Sequence, residues 1–140
     1  MPTILIADDN KNIREFCQRE LEEEGYRVVL ARDGAEAVGL TSRHWPDLVI
    51  LDICMPGMDG LEAARRIKAM DPEVPVIFFT SFDDVCIRDE RSLHATACVE
   101  KREDLEQLKR VINGALSSRR ENRPYRLGLP PAVLSGSPTR

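Results

Sequence analysis

Short runs of branched apolar residues recur along the chain, and each ends in a polar or charged residue. Ile4-Leu5-Ile6-Ala7 runs into Asp8-Asp9, and Leu48-Val49-Ile50-Leu51 runs into Asp52. Val76-Ile77-Phe78-Phe79 runs into Thr80-Ser81, and Ala97-Cys98-Val99 into Glu100-Lys101. Val28-Val29-Leu30-Ala31 is a further run of the same kind. Continuous rather than alternating apolar runs of this length read as strands covered on both faces, as in a parallel sheet.

The stretches between them carry helical spacing. Asn10 caps a helix with the stripe Ile13, Phe16, Cys17 and Leu21, and Gly25 ends it. Asp33-Gly34 turns into a helix through Ala37, Val38 and Thr41, which stops before Pro46. Asp59-Gly60 leads into another, with Leu61, Ala64 and Ile67 inward and Arg65, Arg66 and Lys68 outward. A short helix is predicted from Asp83 or Asp84 to about Arg91. The last has Asp104 in its first turn and carries Leu105, Leu108, Ile112 and Ala115. Five strands alternating with five helices predict an α/β fold, a doubly wound parallel sheet.

The pattern stops near residue 118. Residues 119–140 open with Arg119-Arg120-Glu121-Asn122-Arg123 and are then broken by Pro124, Pro130, Pro131 and Pro138. A domain over residues 1–118 and a flexible tail over residues 119–140 are predicted, the tail dispensable for folding. Tyr125, Leu127, Leu129, Val133 and Leu134 give the tail an alternative role as an extended docking peptide.

Chemistry enters at the strand ends. In a parallel sheet the carboxyl ends of the strands form the edge where ligands bind. Asp8, Asp9, Asp52, Thr80 and Lys101 all fall there. Three carboxylates that close raise one another's pKa unless a cation joins them. Oxygen ligands of this kind suit Mg²⁺. Acids, a hydroxyl and an ammonium around Asp52 are what phosphoryl transfer to a carboxylate needs. Singly, Asp8-Asp9 reads as a helix cap, Thr80 as a turn residue and Lys101 as a surface charge. Asp52 is harder to read that way, since Pro56, Gly57 and Gly60 in the loop after it leave it unable to cap a helix directly.

Composition narrows the choice. A net charge of −4 argues against a nucleic-acid partner. No apolar run is long enough to span a bilayer, and no signal-peptide pattern opens the chain, so the expected location is cytoplasmic. Cys17, Cys54, Cys86 and Cys98 lack metal-ligand spacing and are expected to be reduced and mostly buried. His44 and His94 have no partner pattern and read as ordinary surface or packed residues.

With these residues in this order, residues 1 to about 118 resemble the receiver domain of two-component response regulators, in stand-alone form. The resemblance is carried by Asp8-Asp9, by Asp52 with Met55-Pro56-Gly57-Met58-Asp59-Gly60, by Thr80-Ser81-Phe82 and by Lys101. It implies a flavodoxin-like strand order, 2-1-3-4-5. It implies that Asp52 accepts a phosphoryl group from the phosphohistidine of a sensor histidine kinase or phosphotransfer protein. Asp8, Asp9, Asp52 and the backbone carbonyl of Cys54 would hold Mg²⁺, Thr80 would be the switch hydroxyl, and Lys101 would pair with the phosphoryl group. A downstream protein would read the resulting conformational change. The chain would then be a signalling switch that catalyses its own aspartyl phosphorylation and dephosphorylation, not a turnover enzyme.

The sequence departs from the family pattern at the output face. Arg102 stands where receivers carry proline, so the Lys101–Arg102 bond is predicted trans; a cis bond before a non-proline residue costs roughly 2.5–4 kcal/mol. Cys98 replaces the usual switch aromatic, with Phe82 as a possible substitute, and Leu93-His94-Ala95 replaces the usual Gly-Ala pair. The alternative function is a phosphorylation-independent interaction module, which the loss of an acid, Thr80 or Lys101 would favour; none is lost. An aspartyl-phosphate hydrolase needs a second acid two residues after the nucleophile, and Asp52-Ile53-Cys54 lacks it. A dinucleotide-binding domain is excluded because no Gly-x-Gly-x-x-Gly follows the first strand.

Overall fold

The structure is a computed structural model, and it describes residues 1–81 and 96–122. The elements alternate as the apolar runs predict: β1 (Thr3–Ala7), α1 (Lys11–Glu23), β2 (Arg27–Ala31), α2 (Gly34–His44), β3 (Leu48–Leu51), α3 (Gly60–Met70), β4 (Val76–Thr80), β5 (Ala97–Glu100) and α4 (Glu106–Asn122). The helix predicted near Asp83–Arg91 lies outside the described residues, as do Phe82, Cys86, Leu93-His94-Ala95 and residues 123–140.

All strands are parallel, in the order β2-β1-β3-β4-β5, as expected. Successive residues of each run point to opposite faces, and both faces are covered. Leu5, Ala7, Val49, Leu51, Val76 and Phe78 pack with α2 and α3. Ile4, Ile6, Leu48, Ile50, Ile77 and Phe79 pack with Cys17 and Leu21 of α1 and with Leu108 and Ile112 of α4. Double coverage is the reason these strands lack alternation in sequence.

The caps follow local chemistry. The Asn10 side chain accepts from the amides of Asn12 and Ile13, and Asp33 and Asp59 cap α2 and α3 in the same way. Gly25, just past α1, sits at φ +97°, where a side chain would be strained. Asp104 lies just ahead of α4 rather than in its first turn, and its carboxylate accepts from Glu106 N at 3.1 Å.

Several expectations change. The boundary placed at Ser118 falls inside α4, which runs on to Asn122. Arg119 is buried there, with Nη2 3.0 Å from Asp71 Oδ2 at the end of α3. Its polar neighbours in sequence concealed it, because only the tertiary fold brings Asp71 beneath that turn. Lys68 does not project fully into solvent: it is half-buried and donates to the Val74 carbonyl at 2.8 Å. Cys17 is buried, but Cys54 and Cys98 are exposed, one on the loop above the sheet and one on the edge strand β5. No cis peptide bond occurs among the described residues, so Lys101–Arg102 is trans. Among the described residues no helix is long and apolar enough to cross a membrane.

Candidate functional site

The carboxyl ends of β1 and β3 are neighbours in register, with Ala7 opposite Leu51. The next residue of each chain is an aspartate, so the parallel register sets Asp8 beside Asp52. Asp52 N donates to the Ala7 carbonyl at 2.9 Å, which ties the two strand ends together. One strand further on, β4 ends at Thr80, and Lys101 N donates to the Thr80 carbonyl at 2.9 Å. The carboxyl ends of four strands therefore deliver Asp8, Asp52, Thr80 and Lys101 to one place.

Asp8 and Asp52 are buried, at 2% and 6% relative exposure, and Asp9 is exposed. Carboxylate oxygens of Asp8, Asp9 and Asp52 all lie within 4.8 Å of one another. Lys101 Nζ stands 2.7 Å from Asp8 Oδ2 and 3.2 Å from Asp52 Oδ2. Thr80 Oγ1 donates to Asp52 Oδ1 at 3.2 Å. All five residues predicted from the strand ends converge. Cys54 follows two residues after Asp52 on the same loop.

The electrostatics follow from that crowding. Burial first, and then the charge of Asp8, push the Asp52 carboxyl above the usual carboxylate range; Lys101 and Thr80 oppose the shift. Burial disfavours the Lys101 ammonium, yet Asp8 and then Asp52 outweigh it and hold its pKa up. Burial and the nearby Asp8 push the Cys17 thiol under β1 up to about 12. The set is thus acidic, short of cations and rich in hard oxygen donors.

Two contacts were not legible in the sequence. Gly60, at the start of α3, lies against the loop after β3. A Cβ there would stand 2.8 Å from Ile53 Cα and would clash with the Asp52 carbonyl. Gly60 N also donates to the Ile53 carbonyl at 2.8 Å. The sequence marked the glycine as a turn residue beside Asp59 and as part of the loop motif, not as a contact with the Asp52 backbone. The second contact is Arg14 on α1, whose Nη1 donates to the Asp8 carbonyl at 2.8 Å. Its position one turn after Asn10 was the available signal.

Comparison with known proteins agrees with this geometry. Residues 4–113 match the family described as response regulator receiver domain. A curated relative named response regulator MprA, from Mycobacterium sp. (strain KMS), is 41% identical over 85 residues, or 61% of this chain and 37% of the relative. The matched stretch thus spans little more than a third of that relative's length. Among solved structures, the response regulator TrrA of Thermotoga maritima in complex with Mg²⁺-BeF is similar at 37% identity and a TM-score of 0.79, covering 82% of this chain and 99% of that one. TrrA in complex with the histidine kinase ThkA is similar at 38% identity and a TM-score of 0.76, covering 83% and 99%.

Proposed function

The chain belongs to the response regulator receiver domain family, and on that premise we propose that it takes a phosphoryl group from a phosphohistidine onto Asp52. The single observation that carries this assignment is the position of Asp52. It is the carboxylate that the Lys101 ammonium and the Thr80 hydroxyl both touch, at 3.2 Å each.

The donor set fits Mg²⁺. Three carboxylates with oxygens inside 4.8 Å, one of them exposed, match a hard cation that keeps several waters. Asp8, Asp9, Asp52 and the Cys54 carbonyl would hold it. When bound, it draws charge from the phosphoryl oxygens. A solved relative that carries Mg²⁺-BeF supports the reading.

The chain's own residues supply the rest. A carboxylate oxygen of Asp52 attacks phosphorus as the phosphorus–nitrogen bond of the donor histidine breaks. The bonding pair leaves with the imidazole nitrogen, which takes up a proton from solvent. Lys101, already between Asp8 and Asp52, balances charge on one phosphoryl oxygen, and Thr80 donates to another. A carboxylate nucleophile needs no general base to activate it. Hydrolysis of the acyl phosphate returns Asp52 and inorganic phosphate, so the chain is a switch rather than a turnover enzyme.

The phosphodonor is a sensor histidine kinase or phosphotransfer protein, a reading supported by the relative solved with its kinase. A protein target reads the phosphorylated state. Thr80 would carry the signal by turning toward the phosphoryl group.

Incubation with a small phosphodonor and Mg²⁺, followed by intact mass, tests the assignment. The wild type should gain one phosphoryl group and lose that ability in chelator. Labelling of Asp52→Ala to the wild-type level would show the acceptor to be another residue.

A further inference from the structure

The two metal-side aspartates are held very differently. The Asp8 carboxylate is fixed from two sides: Asn10 N donates to Oδ1 at 2.9 Å, and Lys101 sits on Oδ2 at 2.7 Å. The Asp9 carboxylate is exposed and makes no hydrogen bond or ion pair among the described residues. Its direction therefore depends on the backbone beneath it. The peptide that joins Asp8 to Asp9 helps to set the Asp9 Cα–Cβ vector, from which the carboxylate then reaches through its own rotamer, because rotating this peptide changes φ of Asp9.

The carbonyl of that peptide accepts from Arg14 Nη1 at 2.8 Å. A guanidinium bond to a carbonyl is charge-assisted and stays ionised at any working pH. Arg14 is in turn fixed to the same loop, since its own amide donates to the Asn10 carbonyl at 3.1 Å. Residues 8, 10 and 14 thus close a small ring of bonds around the β1–α1 turn.

We propose that Arg14 is a positioning residue: by holding the Asp8–Asp9 peptide it aims the Asp9 carboxylate at the cation shared with Asp8 and Asp52. The proposal rests on the reading of the site as an Mg²⁺-dependent phosphoryl acceptor. A purely electrostatic role predicts the opposite sign. A cation beside an acidic cluster repels Mg²⁺, so its removal would then tighten binding.

Calorimetric titration of the full chain with Mg²⁺ separates the two. Arg14→Ala should weaken Mg²⁺ binding about tenfold, the lower end of the effect of removing an outer-shell partner. Arg14→Lys, which keeps a cationic donor on a flexible stem, should bind Mg²⁺ more tightly than Arg14→Ala. Thermal melts in chelator read the contribution of Arg14 to the fold separately. Arg14→Ala binding as tightly as wild type or tighter overturns the proposal, whatever its melting temperature. An Arg14→Lys variant as weak as Arg14→Ala overturns it as well. Wild type that binds no Mg²⁺ would remove the functional reading itself, an outcome distinct from a variant that binds unchanged.

Discussion

Lys101 lies closer to Asp8 than to Asp52: Nζ is 2.7 Å from the Asp8 carboxylate and 3.2 Å from that of Asp52. In the resting site the ammonium therefore pairs first with Asp8 and second with Asp52. It is the cation that lets two buried acids stand side by side. Lys101→Met should destabilise the metal-free fold by about 2 kcal/mol, less than the roughly 3–5 kcal/mol of a fully buried pair because Lys101 keeps some exposure. Mg²⁺ should restore part of that loss. Urea denaturation with and without Mg²⁺ measures both, and equal destabilisation under the two conditions would contradict the assigned role.

The raised pKa of Asp52 makes a prediction about pH. Burial and Asp8 hold its folded pKa above the unfolded value. Between those two values the folded chain keeps a proton that the unfolded chain has released. Stability of the metal-free protein should therefore fall as pH rises through that window. Asp52→Asn removes the titrating group. Its stability advantage over wild type should grow with rising pH and level off above the folded pKa of Asp52. Chemical denaturation in chelator across the acidic range checks this; an advantage independent of pH would count against it.

Gly60 seats the loop that carries Asp52. A Cβ at this position meets backbone atoms of Asp52 and Ile53, which cannot move aside as a side chain could. Gly60→Ala should cost about 1–3 kcal/mol, the range for overpacking, and should slow phosphorylation by displacing Asp52. A variant with wild-type melting and labelling would show that the loop yields freely.

The end of α4 should matter more than its polar sequence suggests. Arg119 is buried against the half-buried Asp71, and removing it leaves that carboxylate without this partner and opens the space the guanidinium fills. Ending the chain after Ser118 should lower the melting temperature by several degrees. Ending it after Asn122 should leave it nearly unchanged. Equal melting of the two truncations would show that the Arg119–Asp71 pair adds nothing.

The sequence by itself determined the alternation of strands and helices and which polar residues stand at the strand ends. Apolar runs without alternation mean strands covered on both faces, which requires a parallel sheet with helices on each side. Once the strands are parallel, every run ends at the same edge; the order β1-β3-β4-β5, which the resemblance implied, then sets Asp8, Asp52, Thr80 and Lys101 side by side. The caps Asn10, Asp33 and Asp59 were equally plain, because capping is a local reaction between a side chain and amides two or three residues on. Only the tertiary structure decided what depends on contacts distant in sequence. It set Lys101 nearer Asp8 than Asp52, pressed Gly60 against the Asp52 carbonyl, and put Arg14 on the Asp8 carbonyl. It also drew Arg119 into the fold and left Cys54 and Cys98 exposed. Periodicity records which face of its own element a residue occupies. It carries no record of what another element brings to that face, and for these residues the partner fixes the role.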